Sequence, residues 1–132
     1  MVNKFEQEFV SKCIIKRMQE RLLFELSGKK RVNGIDRFSH NTDELLKTEK
    51  IISKSNQLFK DEILVIIEKL SQAKECYIMA HNKDLDRRLC SFSDALELVI
   101  GNGMPAVIIS DNVAVIETEQ CYGAPTRYIV KI

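Results

Sequence analysis

The feature that most constrains this chain is a change of hydrophobic period near residue 75. Ahead of it, Val10, Ile14, Met18, Leu22 and Leu26 recur every four residues, with Phe5, Phe9 and Cys13 on an adjoining row. Spacing of that kind gathers apolar side chains on one stripe of a helix. Behind it, CYIMA (76–80), AVIIS (106–110), VAVIETE (113–119) and TRYIVKI (126–132) are short runs rich in β-branched and aromatic residues, bounded by turn formers. Such runs read as strands. Helices first and strands afterwards define an α+β fold, in which the helices cover the antiparallel sheet.

The first helix is expected over residues 3–27. Gly28 ends it, and Lys29-Lys30-Arg31 suits the negative end of its dipole. Residues 32–41, VNGIDRFSHN, hold the turn signal Asn33-Gly34 and read as a connector. Asn41 with Glu44 resembles a capping box for a short helix through Leu45-Leu46. A second long helix is expected from Ile51 to Leu70, broken near residues 53–56, which leaves residues 1–72 helical with no strand. Residues 73–132 then read β-α-β-β-β. The helix starts at Ser91 or Ser93 and is closed by Gly101 and Gly103. Asp111-Asn112 marks a hairpin that tolerates positive φ. In the last strand Arg127, Ile129 and Lys131 alternate with Tyr128, Val130 and Ile132, the pattern of a strand covered on one face. A chain of 132 residues that is 45% hydrophobic, with two prolines and five glycines, fits one domain, 1–132.

Charge narrows the function. The net charge is +1, and residues 1–72 carry 14 Lys/Arg against 11 Asp/Glu, whereas residues 73–132 carry 6 against 8. A dedicated nucleic-acid binder draws its affinity from a strong basic excess, so nucleic acid is not the expected partner. The longest apolar run, Ile63 to Ile67, is too short to span a membrane, and the opening MVNKFEQEF is charged from position 4. The four cysteines are scattered rather than framed for disulfides. These features point to a cytoplasmic protein with reduced thiols.

The densest collection of reactive side chains is ECYIMAHNKDLDRRLCS, residues 75–91. Zinc needs closely paired Cys or His ligands, and Cys76-x4-His81-x8-Cys90 has no such pair. No metal or other cofactor is expected. Cys90, just ahead of a helix, is the thiol best placed to be activated, yet only His40 and His81 could serve as its base. Arg37 with His40 would suit acid–base chemistry on phosphate, which demands both histidines together. Gly101-Asn102-Gly103 follows a helix and precedes a strand, the reverse of a phosphate loop. Tyr128 beside Arg127 and Lys131, with Tyr122 nearby, is a single-strand nucleic-acid platform in miniature. No catalytic constellation emerges, and a non-enzymatic, protein-binding role is the expectation. The alternative is a small nucleic-acid-associated regulatory domain.

The binding reading rests on loop-borne carboxylates. Asp84, Asp86, Asp111, Glu117 and Glu119, with Tyr122, are expected to converge as an acidic patch that draws a basic partner. In overall organisation, and in the hairpin with return strand GMPAVIISDNVAVIETEQCYGAPTRYIVKI, the chain resembles the immunity proteins of bacterial contact-dependent growth inhibition, a polymorphic toxin system. The resemblance assigns no binding residue by position. It implies a stoichiometric complex in which the protein occludes the active site of a cognate toxin domain, typically a basic nuclease.

Overall fold

The four expected strands form and lie side by side, buried on both faces at every position but Lys131. A computed structural model of the chain describes residues 3–119 and 123–132. Strands β2 (Cys76–Ala80), β4 (Ala106–Ile109), β5 (Val113–Glu117) and β6 (Arg127–Lys131) pair antiparallel in the spatial order β2-β4-β5-β6. Two further strands close the edges: β1 (Ile51–Ser55) beside β6 and β3 (Leu89–Cys90) beside β2. The sheet is therefore six-stranded, in the order β1-β6-β5-β4-β2-β3, rather than four-stranded, and residues 73–132 run β-β-α-β-β-β rather than β-α-β-β-β because β3 forms ahead of α6. β1 (IISKS) is mostly polar and β3 is only two residues long. Their pairing comes from a neighbour's unsatisfied backbone rather than from a hydrophobic pattern of their own.

Alternation divides the core. Tyr77, Met79, Val107, Ile109, Ala114, Ile116, Tyr128 and Val130 face one helical layer, and Cys76, Ile78, Ile108, Val113, Val115 and Ile129 face the other. The first layer holds α1 (Lys4–Cys13), α2 (Lys16–Leu26), α3 (Arg31–His40) and α4 (Thr42–Leu45). The second holds α5 (Lys60–Leu70) and α6 (Phe92–Val99). The α+β class stands, but helices cover both faces of the sheet. The last strand is accordingly buried on both sides through Val130, not on one.

Helix boundaries depart from the periodic reading where tertiary hydrogen bonds compete. The stripe expected as one helix over 3–27 is broken at Ile14 and Ile15, whose backbones are extended. Ile14 bridges Leu46, the Ile15 N–H donates to the Leu45 carbonyl at 2.8 Å, and the Lys47 N–H donates to the Cys13 carbonyl at 2.7 Å. Two adjacent β-branched residues accept the extended geometry readily. Conversely, the expected connector is helix α3. Gly34 is chosen for close approach rather than for a turn: a Cβ there would lie 3.0 Å from Glu25 Cβ on α2. Residues 51–55, expected as helix, become β1 because β6 offers a partner.

Short-range signals fare unevenly. Ser91 caps α6, its hydroxyl accepting from the Asp94 N–H at 3.2 Å. Asn41 precedes α4, but its side chain donates backwards to the Arg37 carbonyl, so no capping box forms. At the Asp111-Asn112 hairpin neither residue has positive φ; among the described residues only Arg87 does so without being glycine. The Ser110 hydroxyl makes that turn instead, donating to the Val113 carbonyl at 2.8 Å and accepting the Val113 N–H.

Packing at Gly34 yields the first prediction. Gly34→Val should lower stability by about 2–3 kcal/mol by forcing α2 and α3 apart, whereas Gly28→Ala, which meets nothing closer than 3.9 Å, should stay within about 1 kcal/mol. Urea midpoints of the two variants measure this.

Candidate functional site

Glu6 projects from the buried side of α1, where a lone carboxylate would be prohibitively costly. The cation that answers it is Arg31, at the start of α3 and 6% exposed. Arg31 Nη1 and Nη2 donate to the two Glu6 oxygens at 2.8 and 2.6 Å. Nε and Nη2 donate to Asp86 at 2.7 and 2.8 Å, and Nη1 also donates to the Leu26 carbonyl at 3.0 Å. All five guanidinium hydrogens are thereby used. The Tyr77 hydroxyl donates to Glu6 at 2.5 Å, and the Ala80 N–H donates to Asp86. Burial works against the Arg31 charge, but its hydrogen bonds to Glu6 and Asp86 outweigh it and raise its pKa. Burial first, and the Glu6 bond second, raise the Tyr77 pKa as well.

A second buried pair lies across β5 and β6. Arg127 Nε donates to Glu117 at 2.5 Å and Nη1 donates to the Leu58 carbonyl at 2.7 Å. Glu117 also accepts the Gly101 N–H at 2.8 Å. Neither pair leaves a free polar group, so both are built into the fold and neither is offered to a partner.

The expected acidic patch consequently does not assemble. Asp86 and Glu117 are consumed in these clusters. Asp111 accepts from the Ser71 hydroxyl at the end of the sheet where Tyr77 pairs with Ile109. Asp84 lies beyond the other end, past the Ala80–Ala106 pair, exposed and with its N–H held by the Asn82 side chain. Glu119 is exposed and near a cleft. Tyr122 lies outside the described residues. The Tyr128 platform also fails, since Arg127 and Tyr128 are buried on opposite faces of β6. Arg37 and His40 diverge: Arg37 pairs with Glu25, and His40 with Glu119. His81 is held by Asp36 at 2.7 Å, so the two histidines serve different carboxylates.

What the fold does bring together is an open polar cleft of about 290 Å³ between the α3–α4 junction and the outer ends of β5 and β6. His40 Nε2 lies 3.0 Å from Glu119 Oε2, and the Glu119 N–H donates to the Ser39 hydroxyl at 3.1 Å. Opposite them the Tyr128 hydroxyl donates to Asp43 at 2.8 Å, while Lys54 holds both Asp43 oxygens at 2.7 and 2.8 Å. The Lys54 bond lowers the Asp43 pKa against the opposing effect of burial, with Tyr128 helping. Burial and Asp43 raise that of Tyr128, so the phenol stays protonated. Glu44 lines the same cleft and is exposed. Glu44 carries only a capping signal in the sequence and Asp43 none, because Tyr128 and Lys54, which orient Asp43, lie 85 and 11 residues away.

The described thiols, Cys13, Cys76 and Cys90, are set against nucleophilic use. Burial pushes Cys76 up to about 12 and Cys13 up to about 11. Cys90, opposite Cys76 in the β2–β3 pair, is raised by burial too, partly offset by its hydrogen bond with Cys76. The helix start behind Cys90 does not overcome this. Among the described residues, no group of three or more His, Cys, Asp or Glu is placed to hold a metal ion, and no helix is long and apolar enough to cross a membrane. No protein-family model matches the sequence, and comparison with curated proteins and with solved structures finds no similar chain.

Two predictions follow from the buried charges and thiols. Glu6→Gln should cost about 3–5 kcal/mol, because Arg31 is left buried with half its neutralising charge; chemical denaturation of the variant measures it. At neutral pH, alkylation of Cys13 and Cys76 should be at least about 100-fold slower in the native protein than in urea, since both burial and a raised pKa suppress the thiolate. Peptide mapping by mass spectrometry gives the two rates.

Proposed function

We propose that this chain is an immunity-type binding protein that neutralises a cognate toxin domain, a nuclease by preference, by occluding its cationic active-site cleft. The observation that carries the reading is the cleft itself, which presents Asp43, Glu44 and Glu119 around His40 on a surface held by Ser39, Lys54 and Tyr128. Orientation of Asp43 by Lys54 and Tyr128 and of Glu119 by His40 before binding spares part of the ordering cost of an interface. Their excess over the one paired lysine favours a basic partner and speeds its approach. The interior charges support the same reading from the other side. Arg31 and Arg127 are saturated by the chain's own carboxylates, and the described thiols are held as thiols, so recognition falls to the surface.

The partner-binding set is thereby redrawn. Glu119 is kept from the sequence reading, Asp43 and Glu44 are added, and Asp86 and Glu117 are assigned to the interior. Purification of the protein from its native host should recover a chain bearing a toxic domain, whose activity is abolished at one-to-one stoichiometry. Glu44→Lys with Glu119→Lys should then slow association about tenfold at low salt and much less at high salt. Recovery of no toxin domain, or unchanged association by the double variant, would sink the proposal.

A further inference from the structure

The low net charge that argues against a nucleic-acid partner is a sum over two separated populations. The carboxylates of the cleft are one. The other lies on α2, whose outward row is Arg17, Arg21 and Phe24, spaced by four and three residues and all exposed. Lys16 begins the same helix, and Lys29 and Lys30 follow its end, all three exposed as well. Among the described residues none of Lys16, Arg17, Lys29 and Lys30 lies within ion-pair distance of a carboxylate, and Arg21 reaches Glu25 only at 3.9 Å. Glu20 is the single exposed carboxylate on this helix. Phe24 is 70% exposed, the most exposed large apolar side chain described. An aromatic ring left in water at that level, beside the unpaired Lys29 and Lys30, contributes nothing to the core.

Beside the ring is an apolar groove of about 300 Å³ lined by Phe24, Ser27, Gly28, Lys29 and Lys30. A helix C-terminus ordinarily repels anions through its free carbonyls. Here they are occupied: Leu23 accepts from the Ser27 N–H, Phe24 from the Ser27 hydroxyl, Glu25 from the Gly28 N–H and Leu26 from Arg31. The repulsion is reduced, and Lys29 and Lys30 stand over the same end.

We infer that this face binds single-stranded nucleic acid, with a base stacked on Phe24 in the groove, phosphates against Lys29 and Lys30, and the backbone continuing along Arg21 and Arg17. Cations filed about 6 Å apart by the helical rise suit the regular charges of a phosphate backbone. A flat, sequence-tolerant ring with a groove beside it suits a nucleobase. An acidic protein surface would use the charge and leave the planar groove unexplained. The inference goes beyond the toxin-binding reading and uses none of the cleft residues, so either can fail alone.

The test is fluorescence anisotropy of the purified protein with labelled oligo-uridine and oligo-thymidine of about ten nucleotides, titrated from about 50 to 200 mM salt. Binding should weaken with salt along a logarithmic slope of about −3, as expected when about four phosphates are neutralised on a single strand. Phe24→Ala, at a surface position that does not threaten folding, should weaken binding about tenfold. Lys29→Glu with Lys30→Glu should weaken it at least as much and flatten the slope. The charge-matched control Lys69→Glu with Lys74→Glu, at exposed positions with Lys69 on α5 across the sheet from α2, should leave affinity within about twofold. Absence of binding at about 50 mM salt, an unaffected Phe24→Ala, or equal loss in the control overturns the inference. Poly-glutamate binding as tightly as the oligonucleotides, with no dependence on Phe24, also overturns it and assigns the face to an acidic protein.

Discussion

A single cation buried among three elements holds the first helical layer to the sheet. Arg31 stands at the start of α3 and draws Glu6 from α1 and Asp86 from the loop after β2, while Tyr77 from β2 seals the Glu6 carboxylate. Each carboxylate and the guanidinium is costly to desolvate alone, and the arrangement is tolerable only with every donor satisfied. That requirement is stringent about geometry. It fixes the entry of α3 beside α2, the height of α1 over the sheet, and the course of residues 81–88, where Arg87 adopts φ 70° so that its N–H meets the Ile78 carbonyl.

The second buried pair does the corresponding work on the other face. Glu117 and Arg127 lock the outer end of β5 to β6 and reach across to Leu58 and Gly101. With α3 and β6 both fixed, Ser39, Asp43, Tyr128 and Glu119 line the cleft between them, held by the chain's own hydrogen bonds. The same saturation moves the protein's remaining charge outward. Carboxylates collect at the cleft and unpaired cations on α2, and the near-neutral total conceals both.

Much of the fold was legible. The four apolar strands, the α+β class, the Ser91 cap and the stop at Gly101 all follow from local rules that tertiary contacts reinforced. Edge strands were not legible, because β1 has exposed and half-buried residues in alternation and its strand character comes from β6. Asn33-Gly34 misled because a glycine inside a helix for close packing looks, in one dimension, like a glycine for a turn. Of the site, Glu119 and His40 drew attention in the sequence, but their pairing depends on residues 79 positions apart coming together. Asp86 and Glu117 looked available because a carboxylate's partner cannot be read from its neighbours.

The sequence by itself determined which segments must be buried, since hydrophobic period and β-branched composition are properties of residues a few positions apart. It determined the class of fold and the approximate place of most of the core. Tertiary structure decided where the chain leaves its helix at Ile14, which face each helix covers, and which charges are interior and which are offered to a partner. Those outcomes depend on hydrogen bonds and ion pairs between residues as far as 118 positions apart. The energy of such contacts is set by desolvation and geometry that exist only once the layers have met.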